Sequence, residues 1–108
     1  MTTPETTRAM ADVLAERQRQ IHVEGWTAQH DDEHDFGELA AAGAAYAIAA
    51  ADAQHPYSQG DAGFAEKPPD FWLWEASMWK PGEPRRMLVK AAALLLAAIE
   101  QIDRGGVL

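Results

Sequence analysis

At 108 residues, with no cysteine and a formal net charge of −8, the chain has room for one domain with a real core, and none for a disulfide framework or a thiolate metal site. The acidic balance argues against bulk nucleic acid as a partner, because phosphate neutralisation needs a basic face; a small phosphorylated ligand held by a few local cations stays open. The opening MTTPETTRAM has no apolar signal core, and the longest apolar run, Ala91 to Ile99, is too short to cross a bilayer, so the expectation is a cytoplasmic protein without a membrane partner.

The spacing of Met10, Val13, Leu14 and Ile21 predicts a first helix from about Thr7 to His22. Thr3 with Pro4, or Thr6 and Thr7, supply candidate caps, and Gly25 is placed to end the helix in a left-handed conformation. Arg8, Arg17 and Arg19, with Asp12 and Glu16, are assigned to the remaining faces. There follows EGWTAQHDDEHDFGE, residues 24–38, in which six of fifteen side chains are acidic and His30 and His34 are interspersed. No Lys or Arg occurs between Arg19 and Lys67. Such a density of negative charge is unfavourable unless a cation, an arginine cluster or water answers it. If the stretch runs into a helix, Asp31, His34 and Glu38 fall within about 60° of one another on its wheel. Carboxylate with imidazole suits Mg²⁺, Mn²⁺ or, with more nitrogen, Zn²⁺. The plain alternative is an acidic helix start that complements the dipole.

A second helix is predicted from about Asp32 or Asp35 to Ala53. Its body is almost all small residues, and Gly43 in the middle implies close backbone contact with a neighbour. Residues 54–83 read as a long Pro- and Gly-rich connection. Its second half carries Phe71, Trp72, Trp74 and Trp79, which either cap the core, close a subunit interface or line a pocket. The third helix is predicted from Pro84 to Arg104, with Gly105 and Gly106 as the stop. Leu88, Ala92, Leu95, Ile99 and Ile102 form its main apolar stripe, widened by Val89, Leu94 and Leu96. A helix apolar nearly all round needs several neighbours, so the fold expected is an all-α, three-helix single domain completed by homodimerisation.

Arg85 and Arg86 open the third helix, where cations oppose the dipole, with Lys80 just before them. They answer either the acidic stretch or a phosphate, which a helix N-terminus also favours. At the far end Glu100 and Asp103 are three apart and can reach inward together, completing a carboxylate cage with His34 and Glu38.

The pattern ERQRQIHVEGWTAQHDDEHDFGELA, the segment WLWEASMWKP and RRMLVKAAALLLAAIEQIDR together resemble a small protein family common in bacteriophage and prophage genomes. That resemblance implies a phage or prophage origin and expression in a bacterial cytoplasm, without an assigned activity. The layout is also similar to the MazG-like all-α nucleotide pyrophosphohydrolases, which hold Mg²⁺ through ExxE and ExxD motifs at a dimeric helical bundle. Asp35 to Glu38 gives DxxE here and Glu100 to Asp103 gives ExxD; the gap between them is much longer than in that group.

The functional expectation is therefore a metal-dependent nucleotide pyrophosphohydrolase. Asp31, His34, Asp35, Glu38, Glu100 and Asp103 are the candidate ligands of Mg²⁺ or Mn²⁺, with Glu38 and His34 catalytic. Lys80, Arg85 and Arg86 would bind phosphates and Trp72, Trp74 or Trp79 would stack on a base. Two alternatives stand beside it: a non-catalytic binder that sequesters a nucleotide or a nucleotide-derived defence signal, and a protein-interaction or structural module.

Overall fold

The computed structural model describes residues 5–25 and 37–105. Three α-helices carry the fold: α1 (Arg8–His22), α2 (Glu38–Gln54) and α3 (Pro84–Asp103). The expected all-α class holds, and no strand occurs among the described residues. Thr7 is the residue that caps α1: its hydroxyl accepts the Met10 N–H at 3.2 Å. Gly25 follows the helix at φ +77°, as its position implied. Thr7→Ala should therefore cost about 1 kcal/mol in a urea titration, the usual worth of such a cap.

Helix α2 begins at Glu38, later than Asp32 or Asp35. Gly37 takes φ 78° and ψ 20°, a left-handed conformation that no right-handed helix continues through. The single helical face drawn through Asp31, His34 and Glu38 is therefore interrupted at Gly37. Asp31, His34 and Asp35 themselves lie outside the described residues.

Helices α2 and α3 pack antiparallel and closely. Gly43 sits against Leu95 and Ala91, and Tyr46 lies beneath Lys90. The core is built from Leu39, Ala42, Ala45, Ala49 and Ala50 on α2 against Met87, Ala91, Leu94 and Ala97 on α3. Small residues on both helices let the axes approach, as the composition of α2 foretold. Helix α1 lies across α3. Glu16 meets Arg86 while the adjacent Arg17 meets Glu100, yet those two α3 positions are roughly 21 Å apart along the helix.

The orientation of α1 differs from the expectation. Glu16, Arg17 and Gln20 are buried, whereas Met10 and Leu14 are more than half exposed. Apolar spacing alone had put Met10 and Leu14 inside. What turns the helix the other way is its charged network with α3, whose partners are distant in sequence.

Between α2 and α3 the chain makes turns and one 3-10 segment, Ala76–Met78. The Asp52 carbonyl at the end of α2 gathers the start of this connection, accepting from Ser58 Oγ at 3.0 Å and the Gly60 N–H at 3.1 Å. The aromatic segment then folds onto the helices. Trp72 and Trp79 are buried; Tyr46 stacks on Trp79 at 4.5 Å and meets Trp72 edge-on at 5.7 Å. Each of the three described indole N–H groups has an acceptor: the Glu75 carbonyl for Trp72, Glu38 Oε2 for Trp74 and the Phe64 carbonyl for Trp79. This is the arrangement that allows polar-tipped rings to be buried without a desolvation penalty.

Candidate functional site

A polar concavity lies where α1, the 3-10 segment and the first half of α3 meet. It is a cleft of about 160 Å³, lined by Glu16, Arg19, Gln20 and Glu24 from the α1 end, Tyr46 from α2, and Lys80 and Lys90 opposite. Ser77, Met78 and Leu94 complete its wall.

Glu16 is the electrostatic centre. Its carboxylate accepts from Arg19 Nε at 2.8 Å and Nη2 at 2.9 Å, from Gln20 Nε2 at 3.1 Å, and from Arg86 Nη2. Burial pushes the Glu16 carboxyl up, but the hydrogen bonds from Arg19, Arg86 and Gln20 outweigh it and hold the group below the usual carboxylate range. Arg19 also donates to Glu24 Oε1 at 2.8 Å. That hydrogen bond holds the Glu24 carboxyl low, and those to Glu16 and Glu24 raise the guanidinium further. Both acids of the cleft are thus already answered by arginine.

The lysines are answered only at longer range, Lys80 by Glu24 and Lys90 by Glu16. Among the described residues neither Lys80 nor Lys90 has a carboxylate at ion-pair distance. Lys90 Nζ donates to the Lys80 carbonyl at 2.8 Å and lies 5.3 Å from the centre of the Tyr46 ring. Burial, with Arg86 nearby, holds its ammonium below the usual lysine range. The Lys80 N–H donates to the Tyr46 hydroxyl at 3.1 Å. Burial pushes the Tyr46 phenol up, partly offset by that N–H. One further group is incomplete: Gln20 Oε1 is buried and has no hydrogen-bond partner. An unpaired buried acceptor costs about 1–3 kcal/mol, which a donor arriving in the cleft would recover.

The predicted site residues divide between the two ends of α3. Lys80 lines the cleft and Arg86 supports it through Glu16, while Arg85 pairs with Asp12 at 2.9 Å. Glu100 and Asp103 lie at the opposite end, where Glu100 receives Arg17 Nε and Nη2, both at 3.1 Å, and Asp103 is exposed. Glu38 is held by Trp74. The length of α3 separates Arg85 and Arg86 from Glu100 and Asp103, so these four side chains do not share one cavity. Trp72 and Trp79 turn their faces to Tyr46 and to each other instead of to a ligand. Among the described residues no group of three or more His, Asp or Glu is placed to hold a metal ion.

What sequence reasoning missed is α1. Sequence reasoning assigns Glu16 and Arg19 to the faces away from the apolar stripe and does not single out Gln20. The signal available was their spacing: positions 16, 19 and 20 share one helical face, and a face that carries Glu, Arg and Gln together can satisfy itself when buried.

No described helix is long and apolar enough to cross a membrane. Comparison with protein-family models, curated proteins and solved structures finds no match for the chain.

Proposed function

We propose that this protein is a non-catalytic binder of a small anionic ligand of the nucleotide class, held in the cleft between α1 and α3. The observation that supports the reading is that two lysines with no carboxylate at ion-pair distance among the described residues line the same cleft as the unpaired buried Gln20 Oε1. Lys80 and Lys90 supply charge for a phosphate, and Gln20 accepts from an N–H or O–H of the same ligand. Nucleotides carry both groups. The volume sets a limit: about 160 Å³ matches the engineered cavities that admit benzene, so the cleft takes a phosphate or one ring and leaves the rest at its mouth. The chain's overall charge of −8 makes a locally cationic cleft selective for small anions over polyanions.

The test is calorimetry against mononucleotides, cyclic nucleotides, ADP-ribose and inorganic pyrophosphate. Lys80→Ala, at an exposed position, should weaken binding about 10–100-fold, the worth of one charge-assisted hydrogen bond, without lowering thermal stability. Affinity should fall as pH rises through the Lys90 pKa, because binding needs the ammonium and burial has already lowered it. Silence across the whole panel would remove this reading.

A second reading, metal-dependent nucleotide hydrolysis, draws support from the antiparallel packing of α2 on α3. That packing brings Glu38 and Glu100 toward the same end of the helix pair. Hydrolysis of a nucleotide with Mg²⁺ or Mn²⁺, abolished by EDTA and by Glu38→Ala, would decide for it; binding without turnover decides for the first.

A further inference from the structure

Helix α3 has three faces, and the helices described cover two of them. Met87, Ala91 and Leu94 pack on α2, and Arg86 and Glu100 engage α1. The third carries Leu88, Leu95, Ile99 and Ile102, which are 43, 41, 56 and 45% exposed; Leu95 lies at its border with α2, against Gly43. With Ala92 between them, these residues follow one another at intervals of four, three, four and three. That is the spacing of a coiled-coil seam, in which each such side chain enters a gap on a facing helix.

We infer that this seam is a homodimer interface, closed by α3 of a second copy running antiparallel. Three features select that occupant and orientation. The first is charge. Arg85, half exposed beside Asp12 of its own chain, extends the seam at its start and Asp103 flanks it at its end, so an antiparallel pair sets each Arg85 near Asp103 of the partner subunit. A parallel pair would oppose like charges at both ends. The second is shape. In the register centred between Ala93 and Leu94, Leu88 faces the partner's Ile99 and Ala92 faces the partner's Leu95, large against small. A parallel pair puts Ala92 against the partner's Ala92 and leaves a void. The third is the dipole, which favours antiparallel neighbours. The segment 26–36 is a poor alternative occupant: four of its eleven residues are Asp or Glu, and its large apolar side chains are only Trp26 and Phe36.

The seam is short. From Leu88 to Ile102 it runs about 21 Å along one helix, which covers less than the ~800 Å² per partner of a standard stable interface. An interface of that size belongs to the small, reversible class.

Sedimentation velocity across low-micromolar to millimolar concentrations should show a monomer–dimer equilibrium. Leu88→Glu and Ile99→Glu should each shift it to monomer at least tenfold, with helical circular dichroism unchanged because both positions are exposed. The chain has no cysteine, so orientation can be read directly. A mixture of Leu88→Cys and Ile99→Cys chains should oxidise to a disulfide-linked dimer, while either variant alone should not. A monomer at every concentration overturns the proposal. So does cross-linking of the single variants as readily as the mixture, since that is the parallel result.

Discussion

Replacing Glu16 by Gln is expected to destabilise the protein by roughly 2–3 kcal/mol at neutral pH, and to flatten its acid limb. The substitution keeps the volume of a buried side chain but removes the anion that gathers Arg19, Arg86 and Gln20. Breaking a fully buried ion pair from one side costs about 3–5 kcal/mol. The smaller figure applies because Arg19 and Arg86 are 35 and 45% exposed and regain water when their partner is lost. The pH dependence has a definite sign. Glu16 has a folded-state pKa below its unfolded value, so its stabilisation is complete above the ordinary carboxylate value of 4.5. It is lost as pH falls from there through the folded pKa, where the unfolded chain binds the proton more readily. Urea unfolding at pH 7 and again in the acid range should therefore show a gap between wild type and Glu16→Gln that narrows with acid. A gap that is constant with pH would mean that packing, not charge, ties α1 to α3.

Gly43→Val is expected to be at least as damaging, about 3 kcal/mol or more, at the upper end of overpacking effects. Two opposed terms meet at this position. Any other residue in mid-helix gains helix propensity over glycine, about 1 kcal/mol for alanine. Against that, a Cβ here would lie 2.9 Å from both Cγ and Cδ2 of Leu95 and 3.1 Å from the Ala91 carbonyl oxygen. The Leu95 side chain is partly exposed and can swing; the carbonyl is backbone and cannot. Alanine should therefore lose about 1 kcal/mol net, and valine, with two further methyls aimed at α3, much more. Gly43→Ala made in a Leu95→Ala background should recover most of its own loss, because the nearer obstacle is gone. A Gly43→Val protein that melts like the wild type would show that α2 and α3 do not approach this closely.

The periodic parts of the chain were legible in advance. The three helices, the Gly25 and Gly105 stops, the Pro84 start and the small-residue contact at Gly43 follow from local chemistry, because capping, chirality and the 3.6-residue repeat act within one turn of helix. The aromatic segment was legible to the same degree, since so much indole surface is costly to leave in water. Three alternatives had been open for it; tertiary contacts with Tyr46 selected core packing for Trp72 and Trp79.

The candidate site was legible only in fragments. Lys80 and Arg86 were singled out, but their acid is Glu16 on α1, seventy residues before Arg86 in the chain. Spacing within a helix says which residues share a face; it does not say which face turns inward when one face is apolar and the other can satisfy its own charges. That choice depends on what the neighbouring helix offers. Arg85, Arg86 and Glu100 of α3 offered countercharges, so α1 buried Glu16, Arg17 and Gln20 and left Met10 and Leu14 outside. Residue order alone determined the helices and, apart from the start of α2, their ends, because those forces are local. The tertiary structure decided the inward face of α1, and with it the cleft, because pairing charges across seventy or more residues needs the fold to exist first.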